Sequence, residues 1–162
     1  MLGEVGVEEV VPVVMELDRE YRQEAVGTLK AEGEELLRQG SSVGGGSSPR
    51  LATPPRPLGE VVEMFWAEGG SRFFLWEGEA RGAEEGTPSV ELWEMGVGLA
   101  SSGGRGVLLV GPKPGITRGE VEFLRGAGFV PVSLGPRLYT APTALALALG
   151  VVVAAHRQRR DG

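Results

Sequence analysis

The last third of the chain sets the tightest limits on its fold. Val107-Leu108-Leu109-Val110 is a short apolar run suited to a strand buried on both faces. The loop Gly111-Pro112-Lys113-Pro114-Gly115 follows it. Thr117 and Glu120 then have the spacing of a capping box, which predicts a helix ending at Gly126 or Gly128. Val130 to Leu134 predicts another strand, Gly135-Pro136-Arg137 another loop, and Thr140 the cap of a last helix rich in Ala, Leu and Val. His156 and Arg157 fall at that helix's negative end, where cations are favoured. Strands that alternate with helices imply an α/β domain with a parallel sheet.

The rest of the chain keeps the same rhythm. Val10 to Val14 predicts a strand, and Asp18 can cap a helix that turns Tyr21, Ala25, Leu29, Leu36 and Leu37 inward and ends near Gly40. Residues 40–56 (GSSVGGGSSPRLATPPR) read as a flexible loop, unusually long for a compact domain. Leu58 to Trp66 predicts a helix and Phe73 to Trp76 a strand. Thr87-Pro88 can open a further helix, with Thr as N-cap and Pro in the first turn. A chain of 162 residues fits one domain, or one with a short appendage.

Composition removes whole classes of chemistry. With no Cys and a single His (His156), disulfides, thiolate metal sites, Cys nucleophiles and His-based triads are excluded, and no metal is expected. A net charge of −6 argues against broad, non-specific nucleic-acid binding, although Arg157, Arg159 and Arg160 gather near the end. Ala141 to Ala155 falls short of the roughly 20 residues a bilayer needs, and reads as a buried core or interface helix. MLGEVGVEEV has no basic n-region, so the expected location is cytoplasmic.

In an open α/β sheet, ligands bind beyond the carboxyl ends of the strands. Gly111–Gly115 and Gly135–Leu138 both stand there, and glycine lets backbone groups approach a ligand closely. The plainer alternative is a pair of tight turns. The GxGxxG and GxxxxGK[ST] patterns are absent, which disfavours nicotinamide and nucleoside-triphosphate enzymes.

The stretch VLLVGPKPGITRGEVEFLRGAGFVPVSLGPRLYTAPTALALAL resembles the C-terminal signature of the ribosomal RNA uridine-N3 methyltransferases of the SPOUT superfamily. That signature runs from a hydrophobic strand through GPEGG, a Ser/Glu helix cap and AGF to LG-x-RILR-x-ETA and an Ala/Leu-rich helix. Glu4-Val5-Gly6-Val7, Val10 to Val13, Pro49 to Leu51 and Leu75 to Glu77 resemble earlier family segments more loosely. The resemblance implies a single S-adenosylmethionine-binding domain over residues 1–162, with a parallel sheet, flanking helices and a C-terminal deep trefoil knot (the alpha-beta knot). It implies that the two Gly loops cradle bent S-adenosylmethionine largely through backbone groups. It also implies a homodimer, with the last helix in the interface and the RNA site near the seam. Gly111, Pro112 and Gly115 match the first cofactor loop, Leu134, Gly135, Arg137 and Leu138 the second, and Thr143-Ala144 its continuation. Thr117 and Glu120 match the cap, with a structural role. The family's N-terminal PUA-like RNA-binding domain would precede Met1.

The departures lie at polar positions. Lys113 and Pro114 stand where the family has Glu and Gly, Thr140 and Pro142 where it has Arg and Glu, and Leu17-Asp18 where it has Arg-Ser. The expected function is therefore an S-adenosylmethionine-dependent RNA methyltransferase domain that holds ribosomal RNA weakly by itself. The alternative is a catalytically degenerate knotted homodimer, a structural or regulatory partner that at most binds S-adenosylmethionine. Methyl transfer is an in-line displacement that needs positioning more than covalent chemistry. Arg137 is the catalytic candidate, through electrostatic or phosphate contact, with Lys113 second; a structural salt bridge or carbonyl contact is the other role open to Arg137. Tyr139 is expected to pack, and Trp66, Trp76 and Trp93 to lie in the core or an interface rather than stack bases. Glu77, Glu79, Glu84 and Glu85 are expected on a solvated surface.

Overall fold

The computed structural model describes residues 9–15, 50–51, 55–66, 70–77, 89–101, 106–111, 115–135 and 139–161. The chain forms two compact units, Met1–Met64 and Phe65–Gly162. In the first, β1 (Glu9–Val10) pairs in parallel with β3 (Arg50–Leu51), and β2 (Val13–Val14) with β4 (Arg56–Pro57). The single strand expected from Val10 to Val14 is thus two short ones. Pro12 has no N–H to give to a ladder, and its carbonyl instead accepts from the Arg56 N–H at 3.1 Å. The far end of the segment expected to be loop therefore supplies two strands, because β1 and β2 need parallel partners. Helix α1 (Leu58–Trp66) buries Leu58, Val61 and Val62, the i, i+3, i+4 stripe of an amphipathic helix. The helix expected after Asp18 lies outside the described residues.

Among its described residues the second unit is built on three parallel strands, β5 (Ser71–Trp76), β6 (Gly106–Val110) and β7 (Val130–Ser133), in the order β6-β5-β7. Helices α2 (Leu92–Ser101), α3 (Arg118–Gly126) and α4 (Ala141–Asp161) accompany them. The α/β class with parallel sheets is as expected. The period of two along β5 sends Phe73 and Leu75 into one core with Met95, Val132, Leu134, Ala144 and Ala148. Helices α2 and α4 pack closely there, since a Cβ on Gly96 would stand 2.7 Å from the Val151 Cγ1.

The helix expected to open at Thr87-Pro88 begins only at Leu92. Val90 is committed to the sheet first: it bridges Val132, its N–H donates to the Pro131 carbonyl at 2.9 Å, and its carbonyl accepts from the Ser133 N–H at 2.9 Å. Thr87 and Pro88 lie outside the described residues. Helix α3 starts on the expected capping box and stops on a Schellman turn. Gly128 takes φ 86°, the Phe129 N–H donates to the Leu124 carbonyl at 2.9 Å and the Gly128 N–H to the Arg125 carbonyl at 3.1 Å. Strand β7 closes at Ser133, one residue before the expected Leu134. Among the described residues, no helix is long and apolar enough to cross a membrane.

Candidate functional site at the carboxyl edge of the sheet

Register decides where the two glycine loops emerge. Leu75 lies opposite Val110 on one side and Val132 on the other, so β6 and β7 finish within one residue of each other around the central strand. Gly111 and Leu134-Gly135 therefore leave the same edge of the sheet on either side of Trp76. Two strand spacings separate them, about 10 Å. This is the carboxyl edge, where an open parallel sheet offers its ligand crevice.

On the β6 side, Gly111 is overlain by Ile116: a Cβ at Gly111 would sit 2.7 Å from the Ile116 Cγ1. Gly115 is buried at φ 101°, a left-handed geometry open to glycine. Pro112, Lys113 and Pro114 lie outside the described residues. Thr117 then anchors α3. Its N–H and its hydroxyl both donate to the Glu120 Oε1, at 3.0 and 3.1 Å, and its Oγ1 accepts from the Glu120 N–H at 3.2 Å. Glu120 is buried, and the expected structural role of this pair is what the geometry gives.

On the β7 side, Leu134 turns its side chain into the core, leaving its backbone at the edge. Gly135 has φ 80°, and its N–H donates to the Ser133 Oγ at 3.1 Å. Among the described residues no atom lies within 4 Å of the place a Cβ would take. Arg137 and Leu138 lie outside the described residues. Tyr139 packs against the core cluster, as expected. Thr143 is exposed on the first turn of α4, where the Thr140 hydroxyl donates to its Oγ1 at 2.9 Å and accepts from its N–H at 3.4 Å. Thr140, which departs from the uridine-N3 signature, thus works as a helix cap.

The edge therefore gathers Gly111, Gly115, Leu134 and Gly135, with Thr143 one turn further on. Two contributors escaped the sequence reading: Ser133, whose hydroxyl shapes the turn at Gly135, and Ile116, which closes over Gly111. Ser two residues before Gly is a recognisable side-chain turn and was the available signal for the first. Trp66 is 60% exposed and Trp93 47%, which leaves an interface as the expected place for these two, while Trp76 is half-buried.

A family model for the RNA methyltransferase domain matches residues 1–153. The chain belongs to the RNA methyltransferase domain family. Solved structures share the fold of this RNA methyltransferase domain. One is a Legionella pneumophila protein assigned as a methyltransferase, with bound S-adenosylmethionine: TM-score 0.59, 23% identity, covering 94% of this chain and 57% of that one. Another is ribosomal RNA small subunit methyltransferase E of Neisseria gonorrhoeae, bound to S-adenosylmethionine: TM-score 0.55, 22% identity, covering 96% and 56%. A Porphyromonas gingivalis protein assigned as an rRNA methyltransferase aligns with TM-score 0.57 at 20% identity, covering 98% and 60%. The chain thus spans less than two thirds of the length of each. No curated protein sequence matches it.

Proposed function

We propose that this chain carries the S-adenosylmethionine site of a ribosomal RNA methyltransferase, with uridine N3 as the acceptor. The observation that carries the proposal is the exit of the two glycine turns from the same sheet edge on either side of β5, with no described residue crowding Gly135. The described residues fit the cofactor: backbone groups at Gly111, Gly115 and Gly135 can approach an adenosyl group where side chains would intrude. Held there by the backbone at Gly111, Gly115 and Gly135, S-adenosylmethionine would supply an activated methyl group for N3, with the N3 proton lost to solvent and the thioether left behind. The chain's part is to hold the acceptor in line and favour the N3 anion. Arg137 is assigned that electrostatic role, with Lys113 as second cation. Pro112, Leu138 and Thr143 complete the cofactor lining.

The register of the last third supports a further reading, in which α4 threads a loop to leave a C-terminal trefoil knot. An experimental structure with α4 lying outside every loop would overturn it. We assign the working form as a cytoplasmic homodimer. Trp93, Val97 and Leu147 are 47%, 43% and 42% exposed on α2 and α4, an apolar area that a second copy would cover. Acidic charge supports weak ribosomal RNA binding by this chain alone. Isothermal titration with S-adenosylmethionine is the direct test, with one site per chain expected. Transfer of tritiated methyl groups to ribosomal RNA lacking N3-methyluridine tests the acceptor. Absent binding in the first measurement overturns the proposal.

A further inference from the structure

The family match ends at residue 153, yet α4 continues as one helix to Asp161. Its last turns carry His156, Arg157, Arg159 and Arg160, in a chain whose net charge is −6. His156, Arg157 and Arg159 are all exposed. Cations at a helix's carboxyl end are favoured by its dipole whatever else they do. Arg159 also has a structural task, since its Nη1 donates to the Ala100 carbonyl at 2.7 Å and fills an acceptor in the last turn of α2. That bond pins the end of α4 to the body of the unit, so its neighbours stand on a fixed helix rather than a fraying tail. Arg157 has no carboxylate partner among the described residues.

We infer that the last turns of α4 are a contact for the phosphate backbone of the RNA, with Arg157 as the central cation. The inference rests on the RNA acceptor proposed above. Placement gives the contact its role. Helix α4 leaves the carboxyl edge beside Gly135 and its 21 residues span about 30 Å. Its basic end meets the end of α2, close to where the chain returns to begin β6 at the opposite edge of the sheet. The guanidinium grips backbone far from the reacting base: it positions the RNA and reads no sequence. Arginine suits this work because its planar fork matches a phosphate bidentately. An anionic membrane is the poorer occupant, since the exposed residues beside Arg157 are Ala154, His156 and Gln158, with no large apolar side chain to insert.

The test compares wild type with Arg157→Gln and with Arg157→Gln/Arg160→Gln. Anisotropy of a labelled, uridine-rich single-stranded RNA of about 20 nucleotides is followed between about 50 and 200 mM salt. Arg159 is left intact because it also caps α2. Removal of one arginine–phosphate pairing should flatten the slope of log affinity against log salt by about 0.7. Affinity for S-adenosylmethionine should stay unchanged, and Arg157→Lys should keep most of the slope. If wild type binds RNA and the double variant shows the same slope, the contact is overturned and the RNA acceptor stands. If wild type binds no RNA at the lowest salt, the RNA acceptor falls and this inference with it. Arg157-dependent capture by phosphatidylserine vesicles, with RNA binding unaltered, overturns it in favour of a membrane.

Discussion

At Gly135, the strain of a side chain and the loss of a ligand can be measured apart. With φ at 80° a β-branched residue is strained by roughly 1–2 kcal/mol, but it would strike no neighbour among the described residues. Gly135→Val should therefore leave the chain folded and abolish S-adenosylmethionine binding, read by calorimetry beside a denaturation curve. Unchanged affinity would place the cofactor elsewhere. Gly128 offers the contrast. It has φ 86°, and an added Cβ would lie 3.3 Å from the Arg72 Nη1, which already donates to the Ala127 carbonyl at 3.1 Å. Gly128→Ala should cost about 1–2 kcal/mol in urea unfolding and leave cofactor affinity alone. Thr117→Ala removes two of the hydrogen bonds that hold buried Glu120 in the capping box, and should cost about 1–2 kcal/mol.

Among elements, those that satisfy themselves locally were legible in the sequence. Helix α1 follows its apolar stripe, and α3 begins at Thr117 because its cap lies within four residues of sequence. Elements set by distant partners were not. Nothing near Val90 says that its backbone will be taken by Pro131 and Ser133, and this pairing delays α2 to Leu92. Likewise Arg50–Leu51 is a strand only because Glu9–Val10 lies beside it. The candidate site divides the same way. Its glycines were visible as ligand-approach positions, whereas the exit of the two turns from the same sheet edge depends on a strand register that no local pattern encodes. The α2–α4 packing allows a further prediction. A methyl group on Gly96 would meet the Val151 Cγ1 at 2.7 Å and its carbonyl oxygen at 3.1 Å. Gly96→Ala should thus cost about 1–3 kcal/mol by overpacking, against the usual helix-stabilising effect of alanine. A more stable variant in thermal unfolding would show that the two helices can part freely.

At the scale of the whole molecule, the exposed apolar residues Trp93, Val97 and Leu147 set the proposed assembly against the lone chain. Light scattering at micromolar concentration should report a dimer, and Trp93→Glu/Val97→Glu should give a folded monomer, because a buried unpaired carboxylate is costly. A wild-type monomer would end that proposal. The strand order has a different consequence, for the growing chain on the ribosome. β5 is central but made first, and both of its neighbours, β6 and β7, are made after it. Until Gly106–Val110 emerges, the most buried strand of the unit has two bare edges, and until Val130–Ser133 follows it has one. Such edges invite pairing with other chains. Nascent chains arrested between β5 and β6 should therefore need a holding chaperone, and those released after α4 should not.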